Sequence, residues 1–303
     1  SSYGATLMLV DFTGSTVMQE SVTYDKTEIG TEEMIDSIVR LIDHGLDSAK
    51  ISRESLLGIG IGAPGIVDIK RGTIVRYSRF PGMESCPLGD EVEARFGVPV
   101  FVHNNTSVIA LSEYRYGRAR GKNSVVAFLI RAGVGGAYIN DGQIFESQGK
   151  TAFEAGHLAV DMNIPLEAGE GTATVEDFVS EGAILKSVAE QTDRVRDWKD
   201  LLYCLETRDE QVLEIMRRQV RVLLGATRNI ALLLNPEAVL IITRFRSLSQ
   251  FIAEEIDTYI SSTFDPEYID THKIIPLQYD PLIACRGAAD FAFDDYFRAT
   301  KGS

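Results

Sequence analysis

The chain has 303 residues, 45% of them hydrophobic and 24% charged, with a net charge of −14. That is the composition of a soluble globular protein, and at ~100–200 residues per domain the length suits two lobes or one large domain. The acidity excludes these residues by themselves as a grip on nucleic-acid phosphates, and no apolar run approaches the ~20 residues needed to cross a bilayer.

In chain order, Ala5 to Val10 and Thr16 to Tyr24 read as a β-hairpin around Asp11-Phe12-Thr13-Gly14-Ser15. From Thr31 the apolar residues Met34, Ile35, Ile38, Leu41, Ile42 and Leu46 fall at helical spacing, with Thr31, Glu33 and Met34 resembling a capped start. Leu56 to Ile61 is a strand that ends in Gly62-Ala63-Pro64-Gly65. Val98 to Val102 is another, ending at His103-Asn104-Asn105, and Val108 to Arg118 reads as helix. The pattern then restarts. Val125 to Ile130 is a strand, Gly133-Val134-Gly135-Gly136 a turn and Ala137 to Ile139 a strand, with Asn140-Asp141-Gly142 as hairpin turn into Gln143-Ile144-Phe145. Helices are expected over Glu176–Gln191, Gln211–Leu234, Leu248–Ser261 and Ala284–Arg298, and strands over Ala238–Ile242 and Ile274–Gln278. Asn235-Pro236 stops the long helix. Strands alternating with helices predict a layered α/β fold.

Cys86, Cys204 and Cys285 are too few and too scattered for a disulfide framework or a cysteine-rich metal site, and they fit a reducing cytoplasm. No secretory signal is visible. Ser1-Ser2 is not a natural start and points to a trimmed chain.

Four polar or glycine-rich loops each follow a predicted strand, and in open α/β sheets ligands bind at such strand ends. Their order and spacing carry a resemblance. Gly58-Ile59-Gly60-Ile61-Gly62-Ala63-Pro64-Gly65-Ile66-Val67-Asp68 resembles the "GIGIPGxVD" stretch of the ROK family (repressor, open reading frame, kinase). Phe153-Glu154-Ala155-Gly156-His157 resembles its "GExGH" segment, Val175-Glu176-Asp177-Phe178-Val179-Ser180 the tail of "GCLExxxS", and Arg286-Gly287-Ala288-Ala289 its closing "GAA". The resemblance implies an actin-like ATPase (ribonuclease H-like) fold of two lobes with a ligand cleft between them. The lobes are expected at 1–117, with a closing helix over 284–303, and at 118–283. It also implies that Asn104, Asn105, Glu154, His157 and Glu176, with backbone near Gly65, contact a sugar. Carboxylates, amides and a histidine suit hydroxyls, which both donate and accept.

The chain departs from the family's kinases at several places. Their "NDAN" run carries an aspartate base, whereas Asn105 stands there, and an amide takes no proton near neutral pH. Asp11 and Gly14 belong to a first phosphate loop, "DxGGT", in which Thr13 replaces a glycine and adds a Cβ. Gly133, Gly135 and Gly136 belong to a second, "GTGxGGG", in which Ala132 replaces the threonine and Arg131 adds bulk. Arginine also suits anions. After Pro236-Glu237 the adenosine glycine cluster is replaced by Ile242-Thr243-Arg244, whose side chains fill the space. The family's zinc cysteines correspond to Glu167, Gly169 and Thr174, so no zinc is expected. Arg79, ahead of Phe80-Pro81-Gly82, is a further pocket candidate and suits an acidic sugar or sugar phosphate.

These features together predict the sugar-binding effector domain of a ROK-type transcriptional regulator, with no catalytic residue, metal or cofactor. DNA would be reached only through a winged helix-turn-helix ahead of this chain. Ligand binding would close the lobes and bias the DNA-binding state. A cytoplasmic homodimer is expected. The alternative is an ATP- and magnesium-dependent hexose or N-acetylamino sugar kinase.

Overall fold

The computed structural model describes residues 3–24, 30–77, 84–147, 150–151, 153–160, 173–263 and 270–301. In chain order the strands are β1 (Tyr3–Val10), β2 (Thr16–Tyr24), β3 (Ile59–Ala63), β4 (Ile66–Asp68), β5 (Thr73–Arg76), β6 (Val100–Asn104), β7 (Ser124–Ile130), β8 (Val134–Asn140), β9 (Gln143–Ile144), β10 (Glu146–Ser147), β11 (Lys150–Thr151), β12 (Ala238–Thr243) and β13 (Ile274–Gln278). The helices are α1 (Thr31–Ala49), α2 (Leu88–Phe96), α3 (Asn105–Arg115), α4 (Val175–Val179), α5 (Glu181–Ala189), α6 (Trp198–Thr207), α7 (Glu210–Leu234), α8 (Arg246–Thr263) and α9 (Pro281–Lys301). The chain forms two units. The first comprises Ser1–Gly117, Glu146–Ala152 and Asp280–Ser303; the second comprises Arg118–Phe145 and Phe153–Tyr279. Glu146–Ala152, inside the second lobe as read from sequence, thus belongs to the first unit.

In the first unit β1 and β2 form an antiparallel hairpin, β3 runs parallel to β6, and β10-β11-β4-β5 form a small antiparallel sheet. Ile35, Val39, Ile42 and Leu46 of α1 bury one helical stripe together with Val67, Ile74, Val92 and Val102. The glycines of β3 have a packing reason. A Cβ on Gly60 would collide with the backbone carbonyl of Ala288 in α9, and one on Gly58 would stand 3.0 Å from the Ala292 methyl. A Cβ on Gly287 would meet the Ser112 hydroxyl of α3. Two of the sequence segments that carry the family resemblance are therefore pressed against each other in the core.

In the second unit β13, β12 and β7 are parallel, with β8 and β9 antiparallel at one edge. Residues of β12 are buried throughout, as its continuous apolar run requires of a central strand. The long helix α7 packs Val212, Met216, Val220, Leu223 and Leu224 into this core. It ends at Asn235, whose φ of 42° is left-handed.

Several expectations change. The chain over 176–191 is two helices, because Ser180 is extended (φ −62°, ψ 152°) and its hydroxyl caps α5 through the Ala183 amide. Gly135 and Gly136 lie in β8, paired with Leu129 and Phe128, and not in a turn. The first strand after α1 starts at Ile59 and not Leu56, and β4, β5, α2 and α6 were not anticipated. Thr31 is the first helical residue of α1, and the N-cap is Gly30.

Candidate functional site

The first unit brings Gly65, Asn104 and Asn105 together. Asn104 ends β6 and caps α3, its Oδ1 accepting from the amides of Thr106 (2.9 Å) and Ser107 (3.3 Å), while its Nδ2 donates to the Gly65 carbonyl at 2.8 Å. Both lone pairs of that oxygen are used, which leaves one N–H for a ligand. Gly65 turns with φ +79°, and a Cβ there would strike the Arg76 carbonyl. Asn105 is the first residue of α3. The only bond to its side chain among the described residues is a long one, 3.4 Å from the Thr106 hydroxyl to Oδ1. Its amide nitrogen is therefore a second open donor of this cluster, beside the remaining N–H of Asn104. Beside it, His103 is buried and stacks on Phe291 of α9, with centroids 3.6 Å apart and planes at 7°. Burial lowers its pKa to about 4, and Nδ1 has no hydrogen-bond partner among the described residues.

The second unit brings Glu154, His157 and Glu176 together around β8. The 3-10 turn Ala155–His157 lies against that strand because Gly136 and Gly156 lack side chains. A Cβ on either would collide, with the Phe153 carbonyl and the Val134 carbonyl respectively. Glu176 Oε2 accepts from the Val134 amide at 2.8 Å and stands 2.7 Å from where a Cβ on Gly133 would be. Glu154 and His157 are both exposed, and their side chains make no hydrogen bond among the described residues. A carboxylate, an imidazole and the second oxygen of Glu176 thus remain as polar groups for hydroxyls. Gly136, expected in a phosphate loop, has the more immediate role of seating this turn.

The first glycine-poor loop is closed on itself. Asp11 Oδ1 accepts from the Thr13 hydroxyl (2.6 Å), the Thr13 amide (2.8 Å) and the Ser15 amide (3.0 Å), and the Gly14 amide donates to the Asp11 carbonyl at 2.9 Å. Those bonds, the Thr13 hydroxyl first, hold the Asp11 carboxyl below the usual carboxylate range. Gly14 takes φ +76°.

At the end of β12 the backbone is covered by side chains. Thr243 Oγ1 donates to the Phe245 carbonyl (2.9 Å) and lies 2.7 Å from the Ser249 hydroxyl. The Arg244 guanidinium lies 4.5 Å from the Phe245 ring and pairs with Glu181 at 3.0 Å. Phe245 in turn stacks on Trp198, with centroids 4.5 Å apart. Sequence reading reached Arg244 but missed Phe245, Trp198 and Glu181. The signal for Phe245 was present, since it stands one residue further along the same replaced glycine run.

Arg79, Glu167 and Gly169 lie outside the described residues. Thr174, which stands where a zinc cysteine was sought, donates its hydroxyl to Asp177 at 2.8 Å at the start of α4.

The two units with these strand-end clusters define the class: an α/β protein of the actin-like ATPase fold, which has two lobes. The ROK family profile matches residues 4–294. The chain belongs to the ROK family. It is 27% identical to a glucokinase of Thermotoga maritima over 88% of this chain and 87% of that one. It is 24% identical to the xylose repressor of Bacillus spizizenii over 97% of this chain and 75% of that one. Among solved structures, a Streptomyces griseus ROK glucokinase in complex with glucose and AMPPNP matches with a TM-score of 0.78 at 21% identity, covering 96% of both chains. A ROK family transcriptional regulator, a homologue of the E. coli MLC protein, matches with a TM-score of 0.77 at 20% identity, covering 94% of this chain and 74% of that one. Among the described residues no helix is long and apolar enough to cross a membrane.

Proposed function

We propose that this chain is the sugar-binding effector domain of a ROK-type transcriptional regulator and does not phosphorylate what it binds. The observation that carries the reading is the stack at the end of β12. Thr243, Arg244 and Phe245 replace the glycines on which the family's adenosine lies, and Glu181 and Trp198 hold them in place. ATP and magnesium do not fit a chain with this covering, and no reaction step is assigned to them. Two further features support the same reading. Asn105 offers an amide where a base is required, and the amides of Thr13 and Ser15 are already bound by Asp11.

The sugar side is kept. Asn104, Asn105, Glu154, His157 and Glu176, with the backbone at Gly65, supply donors and acceptors suited to a hexose or a close derivative. Arg79 is retained as a candidate for an acidic substituent. Neither zinc nor another cofactor is part of this account. In the regulator, DNA is read by a winged helix-turn-helix ahead of these residues, in a cytoplasmic homodimer. Sugar binding biases that dimer between DNA-binding states.

The kinase reading is favoured by one observation, the 27% identity to a glucokinase across most of both chains. A coupled assay with ATP and a panel of hexoses and amino sugars separates the two. The regulator reading expects no turnover above background. Clear turnover that Glu154→Gln abolishes would overturn it.

A further inference from the structure

Helix α9 grips both ends of the segment that carries Asn104 and Asn105. Gly287, Asp290, Phe291 and Asp294 recur at spacings of three and four, so they share one face of that helix. Phe291 stacks on His103, the residue before Asn104, with centroids 3.6 Å apart. Gly287 leaves room for the Ser112 hydroxyl further along α3, which donates to the Ile283 carbonyl at 2.7 Å. At the far end of α3, Asp290 Oδ1 accepts from the Tyr116 hydroxyl at 2.7 Å, and Asp290 Oδ2 stands 2.8 Å from Arg115 Nη1. Arg115 Nη2 donates to Asp294 Oδ2 at 2.6 Å. Asp290 is only 5% exposed, and an aspartate is rarely so buried unless it is paired. Its Oδ2 makes no hydrogen bond of good geometry among the described residues, so charge alone joins it to Arg115.

We propose that Asp290 is a positioning residue for the sugar contacts. With its neighbour Phe291 it clamps the segment His103–Tyr116 at both ends, and so sets where the free N–H groups of Asn104 and Asn105 point. The identity of the ligand rests on the effector reading above; the clamp itself does not. Burying a charged pair adds little net stability, because lost hydration offsets the attraction. What the pair fixes here is geometry, and a hydrogen-bonding site needs its groups held to within about 0.5 Å. The bonds from the Thr106 and Ser107 amides to Asn104 tie that side chain to the first turn of α3. Any rotation of α3 therefore carries both asparagines with it. The stack on His103 holds the entry to that turn, and Asp290 holds the helix end that would have to swing.

The test compares Asp290→Asn with Tyr116→Phe. The first keeps an acceptor for Tyr116 but removes the charge facing Arg115, and the second removes only the hydroxyl. One readout needs no ligand: the side-chain amide resonances of Asn104 and Asn105 in isotope-labelled protein. Both are expected to shift in Asp290→Asn, which a role in stability alone would not cause. The other is calorimetric titration with glucose and with xylose. Asp290→Asn is expected to weaken the sugar that binds by about threefold or more. In a cycle with Asn105→Ala the two losses are expected to be less than additive, because both act on one contact. Unmoved resonances in folded Asp290→Asn, or strictly additive losses, overturn the clamp. If Asp290→Asn does not fold, Tyr116→Phe decides: shifted amide resonances uphold the clamp and unmoved ones overturn it. Shifted resonances in a protein that binds neither sugar uphold the clamp and count instead against the effector reading.

Discussion

Arg244 and Glu181 form an ion pair of 3.0 Å at the end of the central strand of the second unit, with 41% and 13% of their side chains exposed. The pair holds the guanidinium against Phe245, and on the proposed reading this covers the backbone on which a nucleotide would lie. On that reading the amide at Asn105 is not the only barrier to phosphoryl transfer. Asn105→Asp places a carboxylate beside the proposed sugar contacts but leaves this covering intact. The single variant is expected to show no ATP-dependent sugar turnover in a coupled assay. Turnover above background would mean that the covering does not bar the nucleotide.

The close approach of β3 to α9 gives a stability prediction. Gly60→Ala places a methyl group against the Ala288 carbonyl, which is backbone and cannot swing aside. Overpacking of this kind costs about 1–3 kcal/mol. Urea denaturation is expected to show a lower midpoint with an unchanged m-value. A midpoint equal to the wild type would contradict the packing account of this glycine.

Asn104 combines two tasks. Asn104→Ala removes the cap of α3, worth about 0.5–2 kcal/mol, and frees the Gly65 turn from its bond to β6. Asn104→Asp keeps the cap but loses the donor to Gly65. The alanine variant is expected to be less stable than the aspartate variant, and both to bind sugar more weakly. Equal stability of the two would show that the cap contributes little.

His103 gives a pH dependence with a definite sign. Its pKa is lowered from 6.5 to about 4 by burial. Between those values the unfolded chain holds the proton and the folded one does not. Stability is therefore complete above pH 6.5 and falls as pH drops toward 4, by about 3 kcal/mol for a shift of this size. His103→Leu, which keeps an apolar contact with Phe291, is expected to flatten the stability profile between pH 6.5 and 4. An unchanged slope would place the acid sensitivity elsewhere.

Much of this was legible in the sequence, for physical reasons that differ by element. The hairpin Tyr3–Tyr24, the strand Ala238–Thr243 and the helix Glu210–Leu234 follow from period and from punctuation such as Gly14 and Asn235. The short β4 and β5 were missed because three or four residues carry too little alternation to stand out. The break at Ser180 was missed because the apolar spacing runs on through it, and only the hydroxyl cap marks the new start. Candidate site residues are named where a motif supplies them, as at Asn104 and Glu176. What no motif conveys is what each is bonded to. Asn104 proves half-committed to a helix cap, and Gly136 to seating the Glu154 turn. Trp198 and Glu181 lie 47 and 63 residues before their partners Phe245 and Arg244, so no local pattern could join them.

The most direct test of the central claim is isothermal titration of the protein with a panel of neutral hexoses and pentoses, and separately with a non-hydrolysable ATP analogue. The account predicts saturable heat for at least one sugar, lost in Glu154→Gln and His157→Ala, and none for the nucleotide with or without that sugar. Stoichiometric binding of the nucleotide, or the absence of binding by every sugar tried, would contradict it.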